Sequence, residues 1–173
     1  MGRVLVAAGC MFITLLTHAT ELDKTSNTGQ LVLSAFAQQR AANCQRIIWQ
    51  RKQPDAELLL RINAMPSALL YPAPNGQAPI LLQEPRHTPL PEHIILLDAT
   101  WQQARKMYNH SPYLHALAHI ELKPDVPSQY RLRRNQQEYG LCTSECVAAL
   151  LRRANHTALA EQLDTELALK QAR

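Results

Sequence analysis

The sequence predicts an α/β fold: a single domain with a mostly parallel sheet flanked by helices. Three observations carry this. Short apolar runs alternate with amphipathic stretches at helical spacing, the pattern of successive βα units. The chain has 173 residues, 46% hydrophobic and 18% charged, which gives one domain a sizeable core and excludes a disordered chain. Finally, the run Ile94-Ile95-Leu96-Leu97 ends in Asp98, and a short polar turn leads into an amphipathic segment from Trp101. That is how a buried strand delivers an acid to its carboxyl end just before a helix. In open α/β sheets ligands bind in the crevice at that end.

The elements follow in order. Phe12 to Leu16 reads as a buried first strand. The polar stretch His18 to Gly29 is rich in cap and turn residues. Leu31, Val32, Ala35 and Phe36 then recur at helical spacing, so Thr28 to about Arg40 reads as a helix capped by Ser26 or Asn27. Ile47 to Trp49 is a short strand, and Leu58 to Ile62 a helical turn or two. Ala68 to Tyr71 is a further apolar run, stopped by Pro72 and Pro74, and Asn75-Gly76 marks a turn. Pro79 to Pro91 carries four prolines and reads as a loop. After the strand Ile94 to Leu97, the residues Trp101, Ala104, Met107 and Tyr108 share a helical face, with Gln102, Arg105 and Lys106 outward. His119 to Leu122 is a strand, Lys123 to Ser128 a loop, and Tyr130 to Arg134 a basic, irregular or briefly extended stretch. Thr143 to Arg153 reads as a helix whose terminal charges suit its dipole, and Thr157 to Gln171 as a last helix.

Net charge is +4, compatible with an anionic partner such as nucleic acid and equally with ordinary solubility. None of the four cysteines (Cys10, Cys44, Cys142, Cys146) forms a CxxC pair, and the seven histidines show no ligand spacing, so no metal is expected. The thiols read as reduced and mostly buried, in a cytoplasmic protein. Residues 1–16 have some features of a signal peptide. The apolar stretch before Cys10 is only about six residues, against ~7–15 for a signal core, and the longer run falls short of the ~20 that span a bilayer. A first strand with no membrane segment is the expectation; a secreted protein with a cleaved start is the alternative.

Four constellations are candidates for chemistry. Asp98 is either a general base or an orienter at the sheet edge, or else the cap of the following helix. Trp101 either stacks on a ligand or sits in the core, and spacing alone favours the core. Ser26-Asn27-Thr28-Gly29 leads into a helix N-terminus, which suits a carboxylate as well as a plain capped start. Neither GxGxxG nor GxxxxGK[ST] occurs, which excludes the Rossmann and P-loop fingerprints. Arg131, Arg133 and Arg134 beside Tyr130, with Arg105 and Lys106, could grip a phosphate backbone while Tyr130 stacks on a base; the alternative is a solvated face. Gly140 to Glu145 opens a helix and either frees backbone groups for a planar ligand or serves as a cap.

Taken in order, Thr25-Ser26-Asn27-Thr28-Gly29, Leu70-Tyr71-Pro72, Leu96-Leu97-Asp98-Ala99-Thr100-Trp101 with Ala104-Arg105-Lys106-Met107, Ser111-Pro112, Tyr130-Arg131-Leu132-Arg133 and Cys142-Thr143-Ser144-Glu145 resemble the DTW-domain proteins. The resemblance runs from about Phe12 to Leu151, and its most specific block surrounds Asp98. It implies a tRNA-uridine aminocarboxypropyltransferase, which moves the 3-amino-3-carboxypropyl group of S-adenosylmethionine to N3 of a uridine in tRNA. It also implies a SPOUT-like fold with a C-terminal trefoil knot, in one DTW domain over 1–173 with a core of about 12–153 and a C-terminal helix at 155–173. By that resemblance the catalytic set is Asp98, Thr100 and Trp101. The cofactor set is Asn27, Thr28, Gly29, Leu70, Tyr71, Leu97, Leu141, Cys142 and Thr143. The RNA set is Arg105, Lys106, Tyr130, Arg131, Arg133 and Arg134. Asp98 serves as base or orienter for uridine N3, and Trp101 lines the pocket for the aminocarboxypropyl chain. A monomer is favoured.

The chain departs from the family pattern in places. Relatives commonly carry a cysteine-rich segment before the first strand, so residues 1–10 read as a truncated or misassigned start. Gln30 stands for a commonly basic residue, Ala99 for a common glycine and Cys142 for a common serine. Asp98, Thr100 and Trp101 are intact, which implies retained catalysis. The rival functions are an RNA methyltransferase of the same fold and a non-catalytic RNA-binding module.

Overall fold

The computed structural model describes residues 11–39, 43–82, 89–122, 128–132 and 141–173. The expectations for residues 1–10, Arg133, Arg134 and Gly140 lie outside these, as does most of both proline-bearing loops. The element order is β1 (Phe12–Thr17), a 3-10 turn (Ala19–Glu21), α1 (Gly29–Gln38), β2 (Cys44–Ile48), α2 (Ala56–Ala64), β3 (Ser67–Leu70), β4 (Ile80–Leu82), β5 (His93–Asp98), α3 (Trp101–Asn109), α4 (Pro112–His115), β6 (Ala118–Leu122), α5 (Thr143–Arg153) and α6 (Thr157–Gln171). The strands form one six-stranded sheet in the order β2-β1-β5-β3-β6-β4, with every pairing parallel.

Strand alternation sorts the core into two layers. Ile13 and Leu15 of β1, Ala68 of β3, and Ile94 and Leu96 of β5 pack under α1, α5 and α6, with Val32, Phe36, Val147, Leu151 and Leu163. Leu16, Ile47, Leu69 and Ile95 face the other way, against Leu58 of α2, Met107 of α3 and Leu114 of α4. Covering both faces explains why the central strands read as unbroken apolar runs. Among the described residues no helix is long and apolar enough to cross a membrane.

Several elements differ from the sequence expectation. β2 begins at Cys44 rather than Ile47, and Trp49 lies beyond its end. Ile80–Leu82 pairs with β6 as the edge strand of the sheet, where a loop was expected. Proline beside an edge strand removes no ladder bond, so the prolines did not forbid it. α2 runs nine residues, its N-terminus capped by Asp55, whose Oδ1 accepts from Leu58 N at 2.9 Å. α1 begins at Gly29, and Asn27 Oδ1 accepts from Gln30 N at 3.3 Å, so Asn27 serves its first turn as expected.

At the amino end of the sheet, His93 is fully buried and ties three strands together. Its Nε2 is bonded to Thr14 Oγ1 of β1 at 2.9 Å and its Nδ1 to Ser67 Oγ of β3 at 2.8 Å. Burial, aided by the charge of Arg61, pushes the imidazole down to about 4.

Candidate active site

The carboxyl ends of β2, β1 and β5 lie side by side, and register fixes what they present. Thr17 pairs with Asp98 across β1 and β5, and Leu15 pairs with Arg46 across β1 and β2. By strand alternation Thr17, Arg46 and Asp98 all point to the face covered by α1 and α5. Asp98 is completely buried. Its Oδ1 accepts from Asn27 Nδ2 at 2.9 Å and from Thr143 Oγ1 at 2.9 Å. Its Oδ2 accepts from Thr17 Oγ1 at 3.0 Å and from Arg46 NH2 at 3.2 Å. The same Arg46 nitrogen donates to Asn27 Oδ1 at 3.1 Å. One carboxylate thus binds two strands, the loop before α1 and the first turn of α5.

Gly29 shows how tightly this centre is built. A Cβ there would stand 2.5 Å from Asp98 Oδ2 and 2.8 Å from Arg46 NH2. Only glycine lets the start of α1 come this close. Thr28 links the two helix starts, its Oγ1 accepting from Ser144 N at 3.1 Å. Ser144 is 1% exposed, and its hydroxyl finds no hydrogen-bond partner among the described residues.

The alternative reading of Asp98 as a helix cap is corrected. Thr100 caps α3, its Oγ1 accepting from Gln103 N at 3.3 Å, while Gln103 Oε1 accepts from Thr100 N at 2.9 Å. This capping box leaves the Asp98 carboxylate to the other face of the sheet. Trp101, favoured by spacing as a core residue, is 48% exposed. The buried stripe of α3 is Ala104 and Met107, and Trp101 lies beside it with Tyr108, its ring stacked on Tyr71 at 5.8 Å and 20°.

The other expected site residues fall in two groups. Asn27, Gly29 and Thr143 meet at Asp98, Thr28 bonds the start of α5 beside them, and Leu141 and Cys142 lie just before α5. Leu70, Tyr71 and Leu97 stand half-buried at the ends of β3 and β5. Burial pushes the Cys142 and Cys44 thiols up to about 12 and raises Cys146 too, so all three are neutral thiols near pH 7. Among the described residues no group of histidines, cysteines and acids is arranged to hold a metal ion.

Among the described residues, the expected basic positions do not form one surface. Arg105 and Lys106 are exposed on α3, in the layer opposite α1 and α6. Arg131 instead lies by the end of α6, its backbone N–H donating to Gln171 Oε1 at 2.9 Å and its NH1 to Ser128 O at 2.6 Å. The expectation that Tyr130 stacks on a base is corrected: its ring is 1% exposed and packs with Leu31, Cys142 and Leu167. Its hydroxyl donates to Ser26 O at 2.6 Å, so Tyr130 braces the loop before α1. Sequence reasoning missed Thr17 and Arg46, and named Ser144 only as part of the stretch that opens α5. The signal for Arg46 was a cation directly before the apolar pair Ile47-Ile48, where a strand turning inward demands a buried partner.

These observations define a parallel α/β protein with a buried acid-centred cluster at the carboxyl edge of its sheet. A family model described as the DTW domain matches residues 6–172, and the chain belongs to that family. It is 27% identical over 139 residues to tRNA-uridine aminocarboxypropyltransferase 2 of Drosophila melanogaster, a match covering 80% of this chain and 54% of that protein. The protein of the same name from Macaca fascicularis is 26% identical over 141 residues, covering 79% of this chain and 45% of the relative. That from Mus musculus is 27% identical over 138 residues, with the same coverage, 79% and 45%. The chain spans about half the length of the curated relatives it matches. No solved structure matches it.

Proposed function

We propose that this protein is a tRNA-uridine aminocarboxypropyltransferase that moves the 3-amino-3-carboxypropyl group of S-adenosylmethionine to N3 of a uridine. The observation that carries the reading is the Asp98 cluster: a family-defining acid held by four donors where β1 and β5 end. The names of the relatives support the transferase class. We also propose a single SPOUT-like DTW domain with a C-terminal trefoil knot. The all-parallel sheet supports this, as does the contact between the start of α5 and the end of β5.

The residues present fit such a donor. Buried, unpartnered Ser144 Oγ and the first turns of α1 and α5 offer polar groups for its amino-acid end. Asn27, Thr28, Gly29 and Thr143 would hold that end, and Leu70, Tyr71, Leu97, Leu141 and Cys142 would enclose the adenosine. When bound, the sulfonium supplies three electrophilic carbons. The protein selects among them by orientation, placing the chain's γ-carbon in line with the nucleophile and burying the methyl group. Trp101 lines the path of the aminocarboxypropyl chain. Asp98, with both oxygens engaged by the protein, acts as a positioning residue, fixing the loop and helix starts around the reacting atoms. N3 then bonds to the γ-carbon, the carbon–sulfur bond breaks, and the N3 proton passes to water.

Mass spectrometry of tRNA nucleosides after incubation with the protein and S-adenosylmethionine tests this, with Asp98→Ala alongside. Uridine gains the mass of the aminocarboxypropyl group, and the variant loses the product. A gain of one methyl would make the protein a methyltransferase, and tRNA binding without any modification would make it a binding module.

A further inference from the structure

The proposed transfer uses Trp101 and Tyr71 at the donor but leaves unexplained the row of stacked aromatic rings that they begin along α3. Trp101, Arg105 and Tyr108 lie four and three residues apart, on one stripe of the helix. Tyr71, just after β3, seats its ring between the two aromatic ones. It stacks on Trp101 at 5.8 Å and 20° and on Tyr108 at 4.6 Å and 23°. His115 of α4 extends the row, its ring 4.5 Å from Tyr108. Trp101 is 48% exposed, and among the described residues its ring meets only that of Tyr71. One face of a half-exposed indole at the end of a stack is thus left for another flat ring.

The surrounding charge says which kind of ring. Arg105 and Lys106 stand exposed on the same helix, and neither α3 nor α4 carries a carboxylate. The Arg105 charge acts on the Tyr71 hydroxyl, which places the cation beside the stack. Aromatic rings interleaved with cations are what a nucleic-acid strand needs, its bases on the rings and its phosphates on the guanidinium. Tyr71 follows β3 and Trp101 follows β5, and Leu70 pairs with Leu96 across those strands. The row therefore starts at the same sheet edge as the Asp98 cluster. A ring that lines the donor's chain also faces the base that attacks it.

We propose that the Trp101–Tyr71–Tyr108 stack, with Arg105, is the surface on which nucleobases of the acceptor tRNA stack beside the reacting uridine. This rests on the tRNA reading and names its binding residues. The adenine of the donor is the other source of a flat ring, and the test separates the two.

Trp49→Phe leaves Trp101 as the sole tryptophan and its emission as the reporter, since the chain has two. Unfractionated tRNA and a short oligouridylate quench that emission in the absence of donor, and quench it further when S-adenosylhomocysteine is already bound at saturation. Stacking contributes enough that Tyr108→Leu weakens tRNA binding about tenfold, while Tyr108→Phe, which keeps the ring, binds normally. Exposed Arg105→Gln weakens it as well and lowers the slope of log affinity against log salt by about one. S-adenosylhomocysteine binding stays within about twofold in each variant. Absence of quenching by either RNA would overturn the proposal, as would Tyr108→Leu weakening S-adenosylhomocysteine in place of tRNA. All of these readings are of binding. A protein that meets them yet makes no aminocarboxypropyl product sinks the transferase reading alone, and a productive enzyme that fails them sinks only the stacking surface.

Discussion

Each oxygen of the Asp98 carboxylate accepts two hydrogen bonds from the protein. An acid in that state has no lone pair to offer a substrate proton, and the positioning role proposed for it rests on that geometry. Arg46 is the one cation among its partners, with its side chain 13% exposed. Removing one member of a buried pair leaves the other charge uncompensated, at a cost of ~3–5 kcal/mol. Arg46→Met is therefore expected to lower the urea-unfolding free energy by roughly that amount. It should also weaken S-adenosylhomocysteine binding, because Asn27 loses its guanidinium contact at the same time. An unchanged unfolding midpoint would mean that the pair contributes nothing to the fold. At the same scale Tyr130 shows how composition misleads. A tyrosine among arginines resembles an RNA contact, yet burial under Leu31 and Leu167 makes it a brace.

At the level of elements, legibility in the sequence followed length and periodicity. α5 and α6 were readable to the residue, and β1 and β5 to within a residue or two, because their apolar patterns are strong and their flanks polar. β4 and α4 were missed because three or four residues that start at or just after a proline carry no period. The displaced start of β2 had a larger consequence. A strand read from Ile47 excludes Arg46, so the cation of the site was invisible even though its acid was plain. The converging groups of β2, β1 and α5 are far apart in the chain, and strand register together with the packing of α5 on the sheet brings them together. α3 presents a testable case of local sequence setting a site. Its Thr100–Gln103 capping box satisfies the helix start and releases Asp98 from that task. Thr100→Ala is expected to cost about 1 kcal/mol in chemical denaturation, and Thr100→Ser to restore most of it. Equal stability of the two variants would show that the box is not holding the helix.

For the molecule as a whole, the sheet has a polar pin at each end, and the one at the amino edge responds to acid. The Asp98 cluster holds β2, β1 and β5 at the carboxyl edge, while His93 joins β1, β5 and β3 at the amino edge. His93 is buried as a neutral ring whose pKa falls from 6.5 to about 4 on folding. Between those values the unfolded chain takes up a proton that the native protein refuses, so stability rises with pH across that window and levels off above 6.5. The stabilisation is complete at neutral pH and is lost as the solution is acidified from 6.5 toward 4, about 3 kcal/mol in all. Other carboxylates also titrate in acid, so the informative quantity is the difference between the wild-type protein and His93→Gln. That side chain still offers a donor and an acceptor to Thr14 and Ser67, and it does not titrate. Urea unfolding at pH 7 and pH 5 should show a smaller loss on acidification for His93→Gln than for the wild type. An equal loss would place the acid sensitivity elsewhere. Because His93 bonds both neighbours of β5, protonating it loosens the middle of the sheet, and α1, α5 and α6 pack on that same sheet. Acid should therefore melt both hydrophobic layers together, with one midpoint by circular dichroism and by tryptophan emission.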